Sequence, residues 1–374
     1  MNLLEPLQEP YMRTYVLTCL LTITSCTLFA QNKDTWIAIE NKERTLIGYK
    51  DKNGIVKIKP KYMGMTFAKK FDHIMVVTEE HDVKWKSHYL TKSGRVVGRD
   101  SLYIFDNTPD CESEGFIRFT DKKTDKTGMF NSKGNIVIPA EYNALSKVDN
   151  GLIMALKDAK KEDLGDGHFS WTGGYQSLID TTNKEVIDNF MYTTNLHFPS
   201  VIIADRETTD SNRVSFKGAN HKYYSFINLD REFDNWVKSA LLPNLSKESL
   251  LNATAKDVYL WKDNGKKEDG WGSVAKAKFI EANFELLKAK LLQLTNPEFA
   301  YQTFDNGLNP LIYTSSEYQK YFNNCGEAKE LDYPVKTIVI NLPDEKQSQD
   351  HFDFLRTENG YQLVSVTLGT DKLK

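Results

Sequence analysis

From Trp36 to about Phe233 the chain alternates short apolar runs with polar turns, and the turns are regularly spaced. Gly54 closes Asp51-Lys52-Asn53-Gly54, Gly94 closes Thr91-Lys92-Ser93-Gly94, and Gly134 closes Asn131-Ser132-Lys133-Gly134, so the numbering advances by 40 at each step. Asn183 closes a fourth turn, Asp180-Thr181-Thr182-Asn183, 49 residues later. A polar triplet followed by Gly or Asn between apolar runs predicts a hairpin whose last turn residue takes φ > 0. Glycine does this without a Cβ clash, and asparagine is the next most tolerant residue.

Aligning the turns also aligns their flanks. Six residues before each Gly or Asn stand Gly48, His88, Gly128 and Ser177. After the first three turns, Val56, Val96 and Ile136, then Ile58, Gly98 and Ile138, follow a period of two that predicts one inward face. Tyr62, Tyr103, Tyr142 and Tyr192 come eight or nine residues after the turns, and a third apolar run closes each unit at 74–77, 116–119, 152–156 and 201–204. Each unit of about 40 residues is therefore expected to hold a hairpin, a tyrosine-bearing connection and a third strand. Units this small cannot bury an apolar face alone, so neighbours must stack. A degenerate fifth copy is expected at 224–233, where Phe226-Ile227-Asn228-Leu229-Asp230 lacks the glycine.

Two of these units resemble the WG-repeat (KWG) family, whose pattern runs W-G-[YF]-[IV]-D-x-x-G-x-x-V-I-P-P-x-Y-[DE] and continues into an F-x-x-G-L-A-x-V strand. Gly48-Tyr49-Lys50-Asp51-Lys52-Asn53-Gly54-Ile55-Val56-Lys57-Ile58-Lys59-Pro60-Lys61-Tyr62 follows it, as does Gly128-Met129-Phe130-Asn131-Ser132-Lys133-Gly134-Asn135-Ile136-Val137-Ile138-Pro139-Ala140-Glu141-Tyr142, continued by Asn150-Gly151-Leu152-Ile153-Met154-Ala155-Leu156. The tryptophan that names the family is replaced by Ile47, Ser87 and Thr127, and the second and fourth units are eroded. The resemblance covers roughly residues 46–205. It implies a β-repeat scaffold of exported or envelope bacterial proteins with no common catalytic activity.

Beyond Phe233 the period lengthens. Ile280, Phe284, Leu287, Leu291 and Leu294 predict a helix over 274–295, with Ser273 as N-cap and Asn296-Pro297 as the stop. Shorter helices are expected at 234–242 and from Ser315 or Ser316 to Phe322. Strands are expected at 336–342, 351–357 and 361–368, the last two joined by Asn359-Gly360. The fold class that follows is mainly β plus α+β: four to five three-stranded antiparallel WG-type repeats over 34–233, then an α+β domain over 234–374. In element order alone, a long helix on a terminal sheet is similar to the small NTF2-like domains.

Composition narrows the function classes. A net charge of −3 over 374 residues gives no reason to expect nucleic acid as a partner, and 26% charged with 40% hydrophobic residues excludes a disordered chain. Arg13 followed by the apolar stretch from Tyr15 to Phe29 predicts an export segment over 1–30, with Met12 as a possible true start, rather than a transmembrane span. Two processing readings stay open: cleavage after Ala30, giving a soluble exported protein, periplasmic or secreted, or lipidation of Cys26 in Ile23-Thr24-Ser25-Cys26, giving an outer-membrane lipoprotein. Cys111 and Cys325 read as two separate thiols, although an exported protein could join them.

Motif chemistry is sparse. The chain has no GxSxG, HExxH, Walker loop or GxGxxG after a strand, so no catalytic, cofactor-binding or metal residues are assigned. Asp163-Leu164-Gly165-Asp166-Gly167-His168 reads as a solvated insertion that lengthens the fourth unit, and Asp263 to Gly270 as a plain turn. Glu79-Glu80-His81-Asp82 with His88 reads as an exposed loop between repeats. Aromatic residues crowd 299–333, and Trp261, Trp271, Tyr313 and Tyr318 are candidate ligand contacts; core packing is the competing account. The expected function is an exported, non-enzymatic binding module for a protein or glycan partner. The alternatives are an envelope hydrolase or glycan-binding protein with its site in the C-terminal domain, and a purely structural envelope protein.

Overall fold

The computed structural model describes residues 34–63, 66–82, 84–165, 167–262, 270–342 and 347–374. The expected export segment, with Cys26, lies outside the described residues, as do Asp166 and 263–269.

Five antiparallel sheet units follow one another along the repeat region, the first two joined into one seven-stranded sheet. The first holds Trp36–Glu40, Leu46–Lys50 and Val56–Met63, the second Ile74–His81, Lys84–Thr91 and Val96–Val97, and the third Phe116–Asp121, Lys126–Asn131 and Ile136–Tyr142. The fourth holds Leu152–Lys157, Tyr175–Asp180 and Glu185–Asp188, with Ala144–Leu145 on its outer edge. The single pair Tyr62↔Glu79 links the first two sheets. This pairing corrects the phase of the repeat. The third apolar run does not close its own unit but opens the next sheet: Ile74–His81 pairs with Lys84–Thr91, and Leu152–Lys157 with Tyr175–Asp180. In the fifth sheet the hairpin is inverted, with Tyr223–Asn228 central between Leu196–Ala204 and Arg213–Lys217. The expected fifth turn at 226–230 is instead the end of that strand and the start of a helix.

A second correction concerns the faces. These strands are buried on both sides, not one. Met75 and Val77 join the core between the first and second sheets, while Ile74 and Val76 join the core between the second and third. Likewise Ile153 and Ala155 face the third sheet, and Leu152 and Met154 face the fifth. Successive side chains point to opposite faces, so an unbroken apolar run is what a two-sided strand requires.

The four turns share one set of bonds. Gly54, Gly94, Gly134 and Asn183 have φ of 83°, 87°, 73° and 65°. The first residue of each tetrad organises the rest. Asp51 Oδ1 accepts from the amides of Asn53 and Ile55 at 2.9 Å; Asn131 Oδ1 accepts from Lys133 and Asn135 at 3.0 Å; and Asp180 Oδ1 accepts from Thr182 and Lys184. Thr91 Oγ1 accepts from Arg95. The turns also stack, because Arg95 Nη1 donates to Lys133 O and Asn135 Oδ1, and the Tyr142 hydroxyl to Asn183 Oδ1.

The glycines six residues earlier solve a different problem. A Cβ on Gly48 would lie 2.4 Å from Ile58 O, and one on Gly128 2.7 Å from Ile138 O. At both positions the opposing strand bulges across the glycine and then resumes pairing, Ile47↔Tyr62 and Thr127↔Tyr142. His88 and Ser177 carry a Cβ at this position, and their sheets have shorter last strands, Val96–Val97 and Glu185–Asp188, with Ser177 paired directly to Asp188 and no bulge across it.

The C-terminal region is one six-stranded sheet ordered Gly270–Ala275, Thr254–Lys262, Gly360–Thr367, Gln349–Thr357, Val335–Asn341, Tyr301–Asn306. Thr254–Lys262 runs parallel to Gly360–Thr367, and the other neighbours are antiparallel. The long helix, Lys276–Leu292, packs Phe279, Ile280, Leu287 and Leu291 on one face, so the helix-on-sheet feature behind the NTF2 comparison is present. Ser273 is not its cap. It sits in a strand opposite Tyr259, and the hairpin runs straight into the helix through Ala275. The helix expected at 234–242 begins earlier, as Leu229–Trp236 capped by Asn228, and Phe233 and Val237 belong to the C-terminal core. The segment expected from Ser315 or Ser316 is a 3-10 turn, Ser316–Tyr321.

The glycine classes should separate in thermal melts. Gly48→Ala and Gly128→Ala should each cost about 2–3 kcal/mol, because backbone and ring must move. Gly54→Ala, where nothing lies within 4 Å of the new Cβ, should cost only the left-handed conformation, about 1 kcal/mol. Equal costs at the two classes would refute the crossing role.

Candidate functional site

A cleft of about 670 Å³ lies among the second, third and fourth sheets, the second and fourth being the eroded units of His88 and Ser177. In the first and third units the repeat tyrosine pairs back across the glycine and is buried, Tyr62 and Tyr142 at 2% and 7% exposure. In the second and fourth units the shortened hairpin releases it, and Tyr103 and Tyr192 line the cleft instead.

Two accessory hairpins frame the opening. Ile104–Phe105 with Thr108–Pro109 carries Phe105, 74% exposed. Lys160–Gly165 with His168–Thr172 carries Trp171. The second hairpin is the insertion that stretches the fourth spacing to 49. It is a two-stranded sheet of its own, and its first strand is exposed along its whole length. Lys161 pins it, sitting 4.0 Å over the Phe169 ring and 2.7 Å from Asp125. Asp163 Oδ1 accepts from the Gly165 amide, so this loop is built as a turn.

Charges in the cleft are matched in pairs. Arg118 donates through Nε and Nη2 to Asp110 at 3.0 and 2.6 Å, and through Nη1 to Leu145 O, and stacks 4.1 Å from the Tyr103 ring. Burial alone would raise the Asp110 carboxyl, but Arg118 outweighs it and holds the group below its usual range. Lys147 pairs with Glu327 at 2.7 Å. Both groups of the Asp110–Arg118 pair are thus locked in their charged forms, away from the neutral range a general acid needs.

Glu327 comes from the C-terminal domain. The turn Asn323 to Glu327 reaches back to the repeats: Asn324 O accepts from the amides of Lys69 and Lys70, and Asn324 Nδ2 donates to Asp72. Cys325 is bonded to Cys111, Sγ–Sγ 2.05 Å, across 214 residues of sequence. The expected pair of separate thiols is therefore corrected. Nothing in the spacing of two distant cysteines shows that a turn carries one onto the other.

Nearby, Asp149 of the repeats meets Asp332 of the C-terminal domain, with Glu114 beside them. Asp149 Oδ2 and Asp332 Oδ1 are buried acceptors without a donor, and a proton held between the carboxyls satisfies both. Burial, then repulsion from Asp332 and Glu114, pushes Asp149 up to about 8. Burial also raises Asp332, against the pull of Lys329. Arg356 Nη1 donates to the Asp332 carbonyl, while Glu114 accepts from the amides of Asn150 and Gly151.

The four aromatic candidates lie elsewhere. Tyr313 and Tyr318 are 5% and 4% exposed and pack with Tyr321 and Phe322 on the sheet face opposite the long helix. Asp353, raised by burial, is held by the Thr337 hydroxyl at 2.6 Å near Tyr313. Trp261 and Trp271 are a cross-strand pair, rings 5.9 Å apart and 52% and 43% exposed, on the edge hairpin. None of the four lines the cleft. His88 is buried, 3.6 Å from Glu79, rather than in an exposed loop. Among the described residues no three-ligand metal cluster is present and no helix is long and apolar enough to cross a membrane. The signal for the cleft in the sequence was the nine surplus residues of the fourth unit, which read as a solvated insertion with nothing to say what it covers.

Two measurements check the joint. A carboxyl raised in the folded state stabilises it fully below the unfolded value near 3.8 and loses that contribution as pH rises through about 8. The melting temperature should therefore fall between about pH 4 and pH 8 more steeply in the wild type than in Asp149→Asn; equal slopes would exclude the shared proton. Cys325→Ser should cost roughly 2–4 kcal/mol, and an unchanged melt would mean the bond does not form.

The family model described as WG containing repeat matches residues 128–160. That span holds the crossing at Gly128, the turn at Gly134 and the strand Leu152–Lys157. No curated protein and no solved structure matched the chain. The third unit is thus a WG containing repeat, set in a mainly β chain with a helix-containing C-terminal region.

Proposed function

We propose that the protein is an exported, non-enzymatic binding module whose ligand lies in the cleft between the second, third and fourth sheets. One observation carries this reading: a hairpin with an exposed first strand, Lys160–Gly165 paired to His168–Thr172, brings Trp171 into the lining of the cleft that Tyr192 also lines. A segment that adds little to folding is retained for what it presents. The Asp110–Arg118 pair, held in its charged form, favours holding over catalysis.

Export is supported by the apolar stretch before residue 30 and by the Cys111–Cys325 bond, which persists in oxidising compartments. Mass spectrometry of the mature N-terminus tests it: a start at Gln31 or a lipidated Cys26 agrees, and an intact Met1 or Met12 does not.

The partner is a protein or a glycan. Tyr192→Ala, at a side chain 65% exposed, should change stability by less than about 0.5 kcal/mol yet abolish capture of the partner from an envelope extract. Undiminished capture by both Tyr192→Ala and Trp171→Ala would place the binding surface elsewhere.

A further inference from the structure

We infer that the occupant of the cleft is a neutral glycan chain, stacked on the Phe105, Trp171 and Tyr192 rings with its hydroxyls bonded to the paired charges below. This rests on the binding reading above and names the ligand class.

Three properties of the cleft select among ligands. Its volume, about 670 Å³, falls in the range of sites that enclose a small molecule or a few units of a chain. Its rings stand on three separate elements around the opening: Phe105 on one accessory hairpin, Trp171 on the other, and Tyr192 on the segment after Glu185–Asp188. Separated flat apolar faces suit a chain whose units each offer a C–H face.

The charges make the decision. Arg118 gives three of its five N–H donors to Asp110 and Leu145 O, and Lys147 pairs with Glu327, so each positive charge is already balanced by a carboxylate. No cation of either pair is left to neutralise a phosphate or a polyanion, which argues against nucleic acids and lipid headgroups. The side chains of an apolar peptide would cover the part-exposed Lys147–Glu327 pair and strip it of water, leaving only the peptide backbone to replace those hydrogen bonds, at a cost of desolvation. Sugar hydroxyls both donate and accept, so they restore what the water supplied. A carboxylate with several lone-pair sites can hold its cation and a hydroxyl together.

The test uses the full chain and two probe sets: neutral oligosaccharides of two to six glucose, mannose or N-acetylglucosamine units, and extended apolar hexapeptides. Calorimetry and Trp171 fluorescence report binding. Expected is saturable binding of at least one oligosaccharide, little changed by raising salt from about 0.05 to 0.5 M because no net charge is exchanged. Trp171→Ala and Tyr192→Ala should each weaken it about tenfold or more, whereas Trp261→Ala, remote from the cleft, should leave it unchanged. Peptide binding that is lost in the same variants, with no oligosaccharide bound, overturns the glycan inference and leaves the binding module standing. Absence of saturable binding by both sets overturns the glycan inference, as does oligosaccharide binding indifferent to Trp171 and Tyr192.

Discussion

No sheet in the repeat array has a core of its own. Each inner sheet presents two apolar faces and shares one core with the sheet before it and another with the sheet after, so Met75 and Val76, adjacent in sequence, stabilise different layers. Loss of one strand would expose two cores at once. The array therefore resists local opening along its length and depends on how its ends and joints are closed. The inverted fifth sheet marks one such closure, where the chain leaves the strand Tyr223–Asn228 directly into a helix whose Phe233 belongs to the C-terminal core.

Within that constraint, the residue six positions before each turn sets the shape of each unit. Glycine lets the partner strand cross it, pair on the far side and bury the repeat tyrosine. In the second and fourth units, where His88 and Ser177 stand at that position, the last strand is short and the repeat tyrosines, Tyr103 and Tyr192, lie on the cleft wall. Departures from a repeat pattern are where function is expected when every other level of the sequence agrees on the fold.

The legible and illegible parts of the chain divide along physical lines. Turn positions were legible because φ > 0 admits few residue types, and the long helix because its apolar face recurs at 3.6 residues. The phase of the repeat was not, since an apolar run buried on both sides pairs equally well, as a pattern, with the hairpin before it or after it. The runs at 74–77 and 152–155 did carry the sign of two-sided burial, being apolar without alternation. Ser273 misled because a good capping residue and a tolerable strand residue look alike when a hairpin passes straight into a helix. The cleft was visible only as length: nine extra residues said that something had been inserted, and nothing in them said over what.

The joint between the two regions uses the chemistry of the turns. In the segment from Asn323 to Glu327, Asn323 Oδ1 accepts from the amides of Cys325 and Glu327, Asn323 N donates to Glu327 O, and Gly326 has φ of 84°. This is the bond pattern of Asp51, Asn131 and Asp180, here built far outside the repeats. Its rigidity matters, because Glu327 closes this turn and also holds Lys147 on the cleft wall, while Cys325, two residues before it, is tied to Cys111. A flexible tether would let the wall drift from the aromatic rim. A hydrogen-bonded turn fixed by a covalent bond, two backbone amides and a shared proton holds the cleft wall in place, which makes the C-terminal region part of the cleft through its positioning.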